Sequence, residues 1–307
     1  MARRALSDGQ SNDGQGYGER LEWYVLPRLG HVKLRDLSPL HIQTLWSDLL
    51  ANGRTRGGGL SAVSVAGVRR VLRKVLNDAV AWELMDRNPV LRVKAPRVES
   101  TEMRTWSSQD ARRFLDRTAD DRLHSLWVLA ITTGMRRGEL AGLRWIDIDL
   151  DAGFIALRNT RVAVQHAVHE YEPKSRTSRR SVAIDALVVT VLRGHRRRQL
   201  EERLAWGVAY HDSGYVFTNE DGRPLHPNRI TLLFRRNREE LGLPAVRLHD
   251  LRHTSASLML TAGVHPKVVS ERLGHSSIAI TLDLYSHVIP GMQAEAADKL
   301  GAMMLGR

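Results

Sequence analysis

The chain has 307 residues, room for one large domain or two ordinary ones at roughly 150 residues apiece. Forty-six Lys plus Arg against 34 Asp plus Glu leave a formal charge of +12, the balance expected for a phosphate-rich partner, nucleic acid first and an anionic membrane second. Cysteine is absent, which excludes disulfides, thiolate metal sites and cysteine nucleophiles; no run reaches the roughly 18 apolar residues of a membrane span, and the first residues lack the apolar stretch of a signal peptide.

Residues 1–18 are polar and Gly-rich and read as a disordered leader. Ser38-Pro39 ahead of Leu40, Ile42, Leu45, Trp46, Leu49 and Leu50 is an N-cap with proline at the first helical position, and Gly53 closes that helix. Ser61 or Ser64 opens a longer helix with Val68, Val71, Leu72, Val75, Leu76, Ala79 and Trp82 on one face and Arg69, Arg70, Arg73 and Lys74 on the other. Asn88-Pro89 is expected to end it, and the extended stretch to about Arg104 reads as an interdomain linker. Ser107 and Asp110 have capping-box spacing, with Asp for the usual Glu. An apolar helix over Leu123–Thr133 follows, stopped by Gly134, and a short one over Arg136–Leu143. Ile146, Ile148 and Leu150, then Phe154, Ile155 and Leu157, carry the period-two pattern of strands, in a small antiparallel sheet reaching Ser181–Ile184. After Asp185 the chain reads as helical, with turns at Gly222, Gly242 and Gly263 and helix starts near Pro227 and Pro266. The seven tryptophans are spread without basic interleaving and read as core residues.

Motif tests remove several chemistries. Gly57-Gly58-Gly59 is not followed by Gly-Lys-Ser/Thr, and Gly14, Gly16 and Gly18 lack dinucleotide spacing, so no NTP or NAD cofactor is indicated. His249 and His253 stand four apart, but Asp250 replaces the glutamate of a zinc protease, and the His-Asp pairs at 211–212 and 249–250 lack further ligands; no metal site is assigned. What remains is a set of fragments: Arg136 in TTGMRRGEL, Arg252 in LHDLRHT with His249 one turn before it, His275 in LGHSS, and Tyr285 in TLDLYSH. Two guanidinium forks, two histidines and a phenol are what attack on a phosphodiester without a metal requires. The forks stabilise charge on the nonbridging oxygens, the phenol needs a base or cationic field, and the leaving oxygen needs an acid.

With these fragments in this order, and a basic turn EPKSRTSRR between the first arginine and the second histidine cluster, the sequence resembles the tyrosine recombinase (phage integrase) family over roughly residues 19 to 290. The resemblance implies that Tyr285 is the nucleophile and forms a 3′-phosphotyrosyl link. Arg136 and Arg252 would clamp the scissile phosphate, His249 would assist proton transfer, and His275 would hydrogen-bond or position the phosphate. Lys174 would protonate the leaving 5′ oxygen, and Glu139 would orient the arginine or a neighbouring histidine. Arg176, Arg179 and Arg180 crowd the turn of Lys174, where any could contact phosphate; Arg176 and Arg179 are taken as DNA contacts together with Arg69, Arg70 and Arg73.

The implied fold is mainly α with a small antiparallel β-sheet: a helical core-binding domain over 19–97, a linker over 98–103 and an α+β catalytic domain over 104–307, ending in a tail helix over 290–307. The implied partners are double-stranded DNA attachment sites, a homotetramer on synapsed DNA formed from a free monomer or weak associate, and an excisionase or DNA-bending accessory protein. No membrane partner is expected, and the location is cytoplasmic, with the nucleoid. The family's usual helix before Leu26–Gly30 has no counterpart in the polar leader on this reading. Integration or excision of a mobile element leads; a Xer-type resolvase, a type IB topoisomerase and a non-cutting helix-turn-helix regulator with its turn at Ala262–Val264 are the alternatives.

Overall fold

The computed structural model describes residues 17–54, 57–98, 104–164, 167–172, 179–275, 277–285 and 290–305, with 283–285, 290–296 and 299 described by backbone alone. The chain divides into two units, Met1–Thr101 and Glu102–Arg307. It is mainly helical with small antiparallel sheets.

The first unit opens on a helical run from residue 17 that passes through a π-type turn at Leu21–Val25 into α1 (Leu26–Leu29). This corrects the expectation that nothing helical precedes Leu26. Leu21 and Val25, with Tyr17 and Tyr24 partly buried beside them, join the core of the unit, so their three- and four-residue spacing is a helical stripe. The rest of the leader lies outside the described residues. Helix α2 (Pro39–Asn52) starts at Ser38, whose hydroxyl accepts the His41 N–H, and buries Ile42, Leu45, Trp46 and Leu49. Ser61, not Ser64, caps α3 (Ala62–Ala81). That helix ends seven residues before the expected Asn88 stop: Glu83 takes a left-handed φ of 58°, and the Leu84 N–H turns back to the Ala79 carbonyl at 2.9 Å. Trp82 is consequently 56% exposed, as are Trp23 at 61% and Trp206 at 45%, against the expectation of seven core tryptophans. Asn88 has a different use. Its side chain donates to the Arg73 carbonyl and to Asn77 and accepts the Val90 N–H, which lays the 3₁₀ turn Pro89–Arg92 on α3 and buries Pro89 and Val90. Pro89, Val90 and Val93 are therefore buried in this unit and not in a linker; residues 99–103 lie outside the described residues.

The second unit begins with the expected capping box, Ser107 with Asp110, at the start of α4 (Ser108–Arg117). Helix α5 (His124–Thr133) is buried nearly all round and ends at Gly134 with φ 63°; α6 (Arg137–Gly142) follows directly. The strands form two sheets where one was expected. Strands β1 (Ile148–Asp149), β2 (Phe154–Leu157) and β5 (Arg180–Ala183) make one in the order β1-β2-β5, with Ile155 opposite Val182. A separate hairpin pairs β3 (Thr160–Val164) with β4 (Ala167–Tyr171). Then come α7 (Ala186–Trp206), capped by Asp185, α8 (Pro227–Glu240), α9 (Asp250–Thr261), α10 (Pro266–Leu273), α11 (Ile278–Tyr285) and α12 (Pro290–Leu305). Both proline helix starts are as expected.

Four aromatic rings organise this unit's core. Phe114 packs on Trp106, Trp127 and Phe234 with ring centroids 5.1 to 5.9 Å apart, tying α4, α5 and α8 together. Trp106 also donates to the Pro244 carbonyl at 3.0 Å and, through its backbone, to Thr254 at 3.1 Å. The start of α9 is thus fixed against the end of the entry segment. Phe114→Ala removes the ring all three others touch and is expected to cost about 3–5 kcal/mol, measured by urea unfolding followed through tryptophan fluorescence; a loss under about 1 kcal/mol would mean that the core closes over the gap.

Candidate active site

Two helices of the second unit end on left-handed glycines, and the site is built on these ends. Gly134 terminates α5, and Gly274, with φ 68°, terminates α10. At Gly134 a Cβ would stand 2.5 Å from the Leu273 side chain, so both the backbone angle and the approach of α10 require glycine. The last carbonyls of a helix have no intrahelical donor and carry the negative end of its dipole. Here arginines supply the donors.

Arg252, 4% exposed in the first turn of α9, donates through Nη1 to the Gly134 carbonyl at 2.9 Å and through Nη2 to the Leu273 carbonyl. Arg136, the N-cap of α6, donates to the Gly274 carbonyl at 3.3 Å and to Glu139 Oε1 at 2.9 Å. Arg180 donates through Nε to the Arg272 carbonyl at 2.7 Å and through both Nη atoms to Glu139, at 2.9 and 3.1 Å. Arg272 reaches the Thr132 and Ala183 carbonyls. Four guanidiniums thus meet at two helix ends.

Glu139 is 6% exposed. Burial pushes its pKa up, but the hydrogen bonds and charge of Arg180, the charge of Arg136 and the Arg136 backbone N–H together hold it below the usual carboxylate value. The carboxylate is therefore ionised, as the expectation that it orients Arg136 requires.

The histidines respond to the same field. His275 is pushed down to about 4, first by burial and then by Arg252, Arg136, His253 and Arg180. His249 is lowered by burial and by Arg252 and Arg136, with Asp250 opposing. His253 stands edge-on to the His249 ring at 5.5 Å and is lowered by burial and by His249. All three are neutral at pH 7. His275 Nδ1 lies 2.8 Å from the Thr281 hydroxyl.

Arg136, Glu139, His249, Arg252 and His275 are brought together from segments more than a hundred residues apart in sequence. Tyr285 closes α11, and its side chain lies outside the described residues, as do Lys174 and Arg176. Arg179 is exposed and paired with Glu172 at 2.5 Å. Arg70 and Arg73 are exposed and Arg69 half-buried on α3, in the other unit. Asp250 is occupied by the backbone and guanidinium of Arg247. Among the described residues no three His, Asp or Glu side chains gather to hold a metal ion.

Sequence reasoning passed over Arg180 as one of several cations crowding a turn. A period-two reading back from Ile184 through Val182 would have turned it inward, and its side chain is only 7% exposed. Arg272 and Thr281 were also missed; the signal for Thr281 is a small hydroxyl in the apolar run Ile278–Leu282.

Residues 106–291 match the Phage integrase family. The chain is 30% identical over 293 residues to the Tyrosine recombinase XerC-like protein of Caldanaerobacter subterraneus subsp. tengcongensis, covering 89% of this chain and 73% of that one. It is likewise 30% identical over 251 residues to the ICEBs1 integrase of Bacillus subtilis, covering 80% and 67%. The integrase of the Tn1549 transposon, solved in complex with a circular intermediate DNA, has the same fold, with a TM-score of 0.78 over 97% of this chain and 96% of that one at 19% identity. The chain belongs to the phage integrase family, the tyrosine recombinases that cleave and rejoin DNA.

Proposed function

We propose that the protein is the integrase of a phage or other mobile element, recombining double-stranded attachment sites through a 3′-phosphotyrosyl intermediate on Tyr285. The observation that carries this reading is the meeting of Arg136 and Arg252 beside His249 and His275. Arg252 is held by the Gly134 and Leu273 carbonyls and Arg136 by the Gly274 carbonyl and Glu139, so both forks are fixed in place while the cluster keeps an excess of positive charge for a phosphodiester. Two guanidiniums stabilise the charge that develops on the nonbridging oxygens as the phenol attacks. Neutral His249 accepts the phenol's proton, neutral His275 donates a hydrogen bond to the phosphate, and Lys174 protonates the departing 5′ oxygen. Glu139 keeps the Arg136 fork in place. The new phosphotyrosyl bond replaces the broken phosphodiester, so rejoining needs no outside energy.

The first unit, with Arg69, Arg70 and Arg73, and the basic turn with Arg176 and Arg179 supply backbone contacts that give affinity and register. Helix α12 leaves Leu300, Met303, Met304 and Leu305 exposed, which supports assembly of a tetramer on synapsed DNA from free monomers, with an excisionase or DNA-bending protein setting direction. No described helix is long and apolar enough to cross a membrane, and the proposed location is the cytoplasm, with the nucleoid. A Xer-type resolvase remains the second reading, favoured by the similarity to the XerC-like relative. Recombination between two identical sites and not between unlike ones would select it.

Tyr285→Phe removes only the phenolic oxygen. Covalent adducts on a suicide substrate should vanish while half-site binding stays within about twofold of wild type, since a uniform binding surface is untouched; an adduct that persists places the nucleophile elsewhere. Lys174→Ala should slow cleavage of ordinary DNA and regain most of its rate when the leaving oxygen is replaced by sulfur, because a thiolate departs without an acid. Equal impairment on both substrates would make Lys174 a phosphate anchor.

The depressed histidines also set a pH dependence. An unfolded histidine titrates near about 6.5, whereas His275 in the fold titrates at about 4, so in that interval the unfolded chain binds more protons. Stability contributed by neutral His275 is complete above about pH 6.5 and is lost as pH falls toward about 4. Urea midpoints measured from pH 7 to 5 should decline, and less steeply in His275→Gln; parallel declines would contradict the assignment.

A further inference from the structure

From the surroundings of one buried hydroxyl we infer that Thr281 is a positioning residue, whose hydroxyl donates to His275 Nδ1 and thereby fixes the ring and its tautomer with the proton on Nε2. Thr281 is fully buried and lies four residues before Tyr285 in α11. Three helical threonines of the second unit donate back to the carbonyl four residues earlier, Thr132 to Val128, Thr133 to Leu129 and Thr190 to Ala186. The Thr281 hydroxyl does otherwise: its partner among the described residues is His275 Nδ1, at 2.8 Å.

That geometry leaves one economical arrangement of protons. A neutral imidazole has one N–H and one acceptor nitrogen. Were Nδ1 the donor, the buried Thr281 O–H would have no acceptor among the described residues, and a buried unsatisfied donor is costly. With Nδ1 as acceptor both groups are satisfied. The proton then sits on Nε2, which has no hydrogen-bond partner among the described residues and belongs to the ring that Arg136 and Arg252 face electrostatically. The hydrogen bond at one imidazole nitrogen thus decides what the other can do. A neutral ring so held presents an N–H to an anion without adding charge to a basin already rich in guanidiniums. The same bond ties the loop after Gly274 to the helix that carries Tyr285, so the donor and the proposed nucleophile are placed by one contact.

The inference rests on the reading of His275 as a donor to the scissile phosphate, and the two fail differently. The test uses the full chain with ¹⁵N-labelled histidine, comparing wild type, Thr281→Val, Thr281→Ser and His275→Ala. Wild type should show a protonated Nε2 and an unprotonated, hydrogen-bonded Nδ1. In Thr281→Val the Nδ1 resonance should move to that of an unbonded or exchange-averaged nitrogen, and cleavage at saturating DNA should fall about tenfold, less than the roughly hundredfold or more expected for losing a charge-stabilising donor outright. Half-site affinity should stay within about twofold, and Thr281→Ser should restore both signals, since the groups that bind DNA uniformly are untouched. A proton on Nδ1 in wild type overturns the inference, and this measurement does not depend on the variants folding. A Thr281→Val protein with slowed cleavage but an unmoved Nδ1, or a moved Nδ1 with unchanged cleavage, also overturns it. If His275→Ala cleaves at the wild-type rate, the role of His275 is wrong, whatever the tautomer.

Discussion

Four arginines are drawn to one place in this molecule by carbonyl groups that two helices cannot satisfy themselves. Helix α5 ends at Gly134 and α10 at Gly274, both left-handed, and the terminal carbonyls of Thr132, Gly134, Arg272, Leu273 and Gly274 accept from Arg272, Arg252, Arg180, Arg252 and Arg136 in turn. Moving an unpaired guanidinium out of water costs several kcal/mol or more, and the usual remedy is a carboxylate. Carbonyl dipoles at helix C-termini here supply acceptors and negative potential, and Glu139 adds a counter-charge that Arg136 and Arg180 share. The glycines are what make this geometry possible, since a side chain at Gly134 would collide with Leu273.

The consequence is a buried region that is net positive and yet has its donors aimed. The histidines register that excess. His275, His249 and His253 are all lowered, each by burial first, followed by Arg252 and Arg136 at His275 and His249 and by His249 at His253, so none adds a further charge at neutral pH. Such an arrangement is a standing cost to the fold, offset by the aromatic core that fixes the start of α9. An excess of positive charge concentrated in one place is what a protein retains where an anionic ligand completes the site.

Much of this was legible one element at a time. The caps at Ser38 and Ser107, the glycine stop at Gly134 and the proline starts at 227 and 266 are local signals, each read within a few residues, and the structure has all of them. The fragments around Arg136, Arg252 and His275 were legible as chemistry. The early end of α3 was not, because it depends on a positive φ at Glu83 and on Asn88 finding Arg73 and Asn77 across a turn. The division of the strands into two sheets was hidden for the same reason, since pairing register is a tertiary property that alternation alone does not carry. Arg180 shows the limit most clearly: its partners Glu139 and Arg272 lie 41 and 92 residues away, and no spacing in the sequence points to either.

Glu139 is fully engaged by the arginines around it. Its Oε1 accepts from Arg136 and Arg180, and its Oε2 from Arg180 and the Arg136 backbone N–H. Each oxygen therefore has both of its acceptor positions filled. These contacts, against the upward push of burial, hold the group ionised. A carboxylate so occupied is a poor base, because protonation would forfeit hydrogen bonds from two cations at once. It is also no acid at neutral pH, having no proton to give. Glu139 is thereby confined to holding Arg136 and Arg180 in register, and the proton transfers proposed for His249, Tyr285 and Lys174 make no use of it.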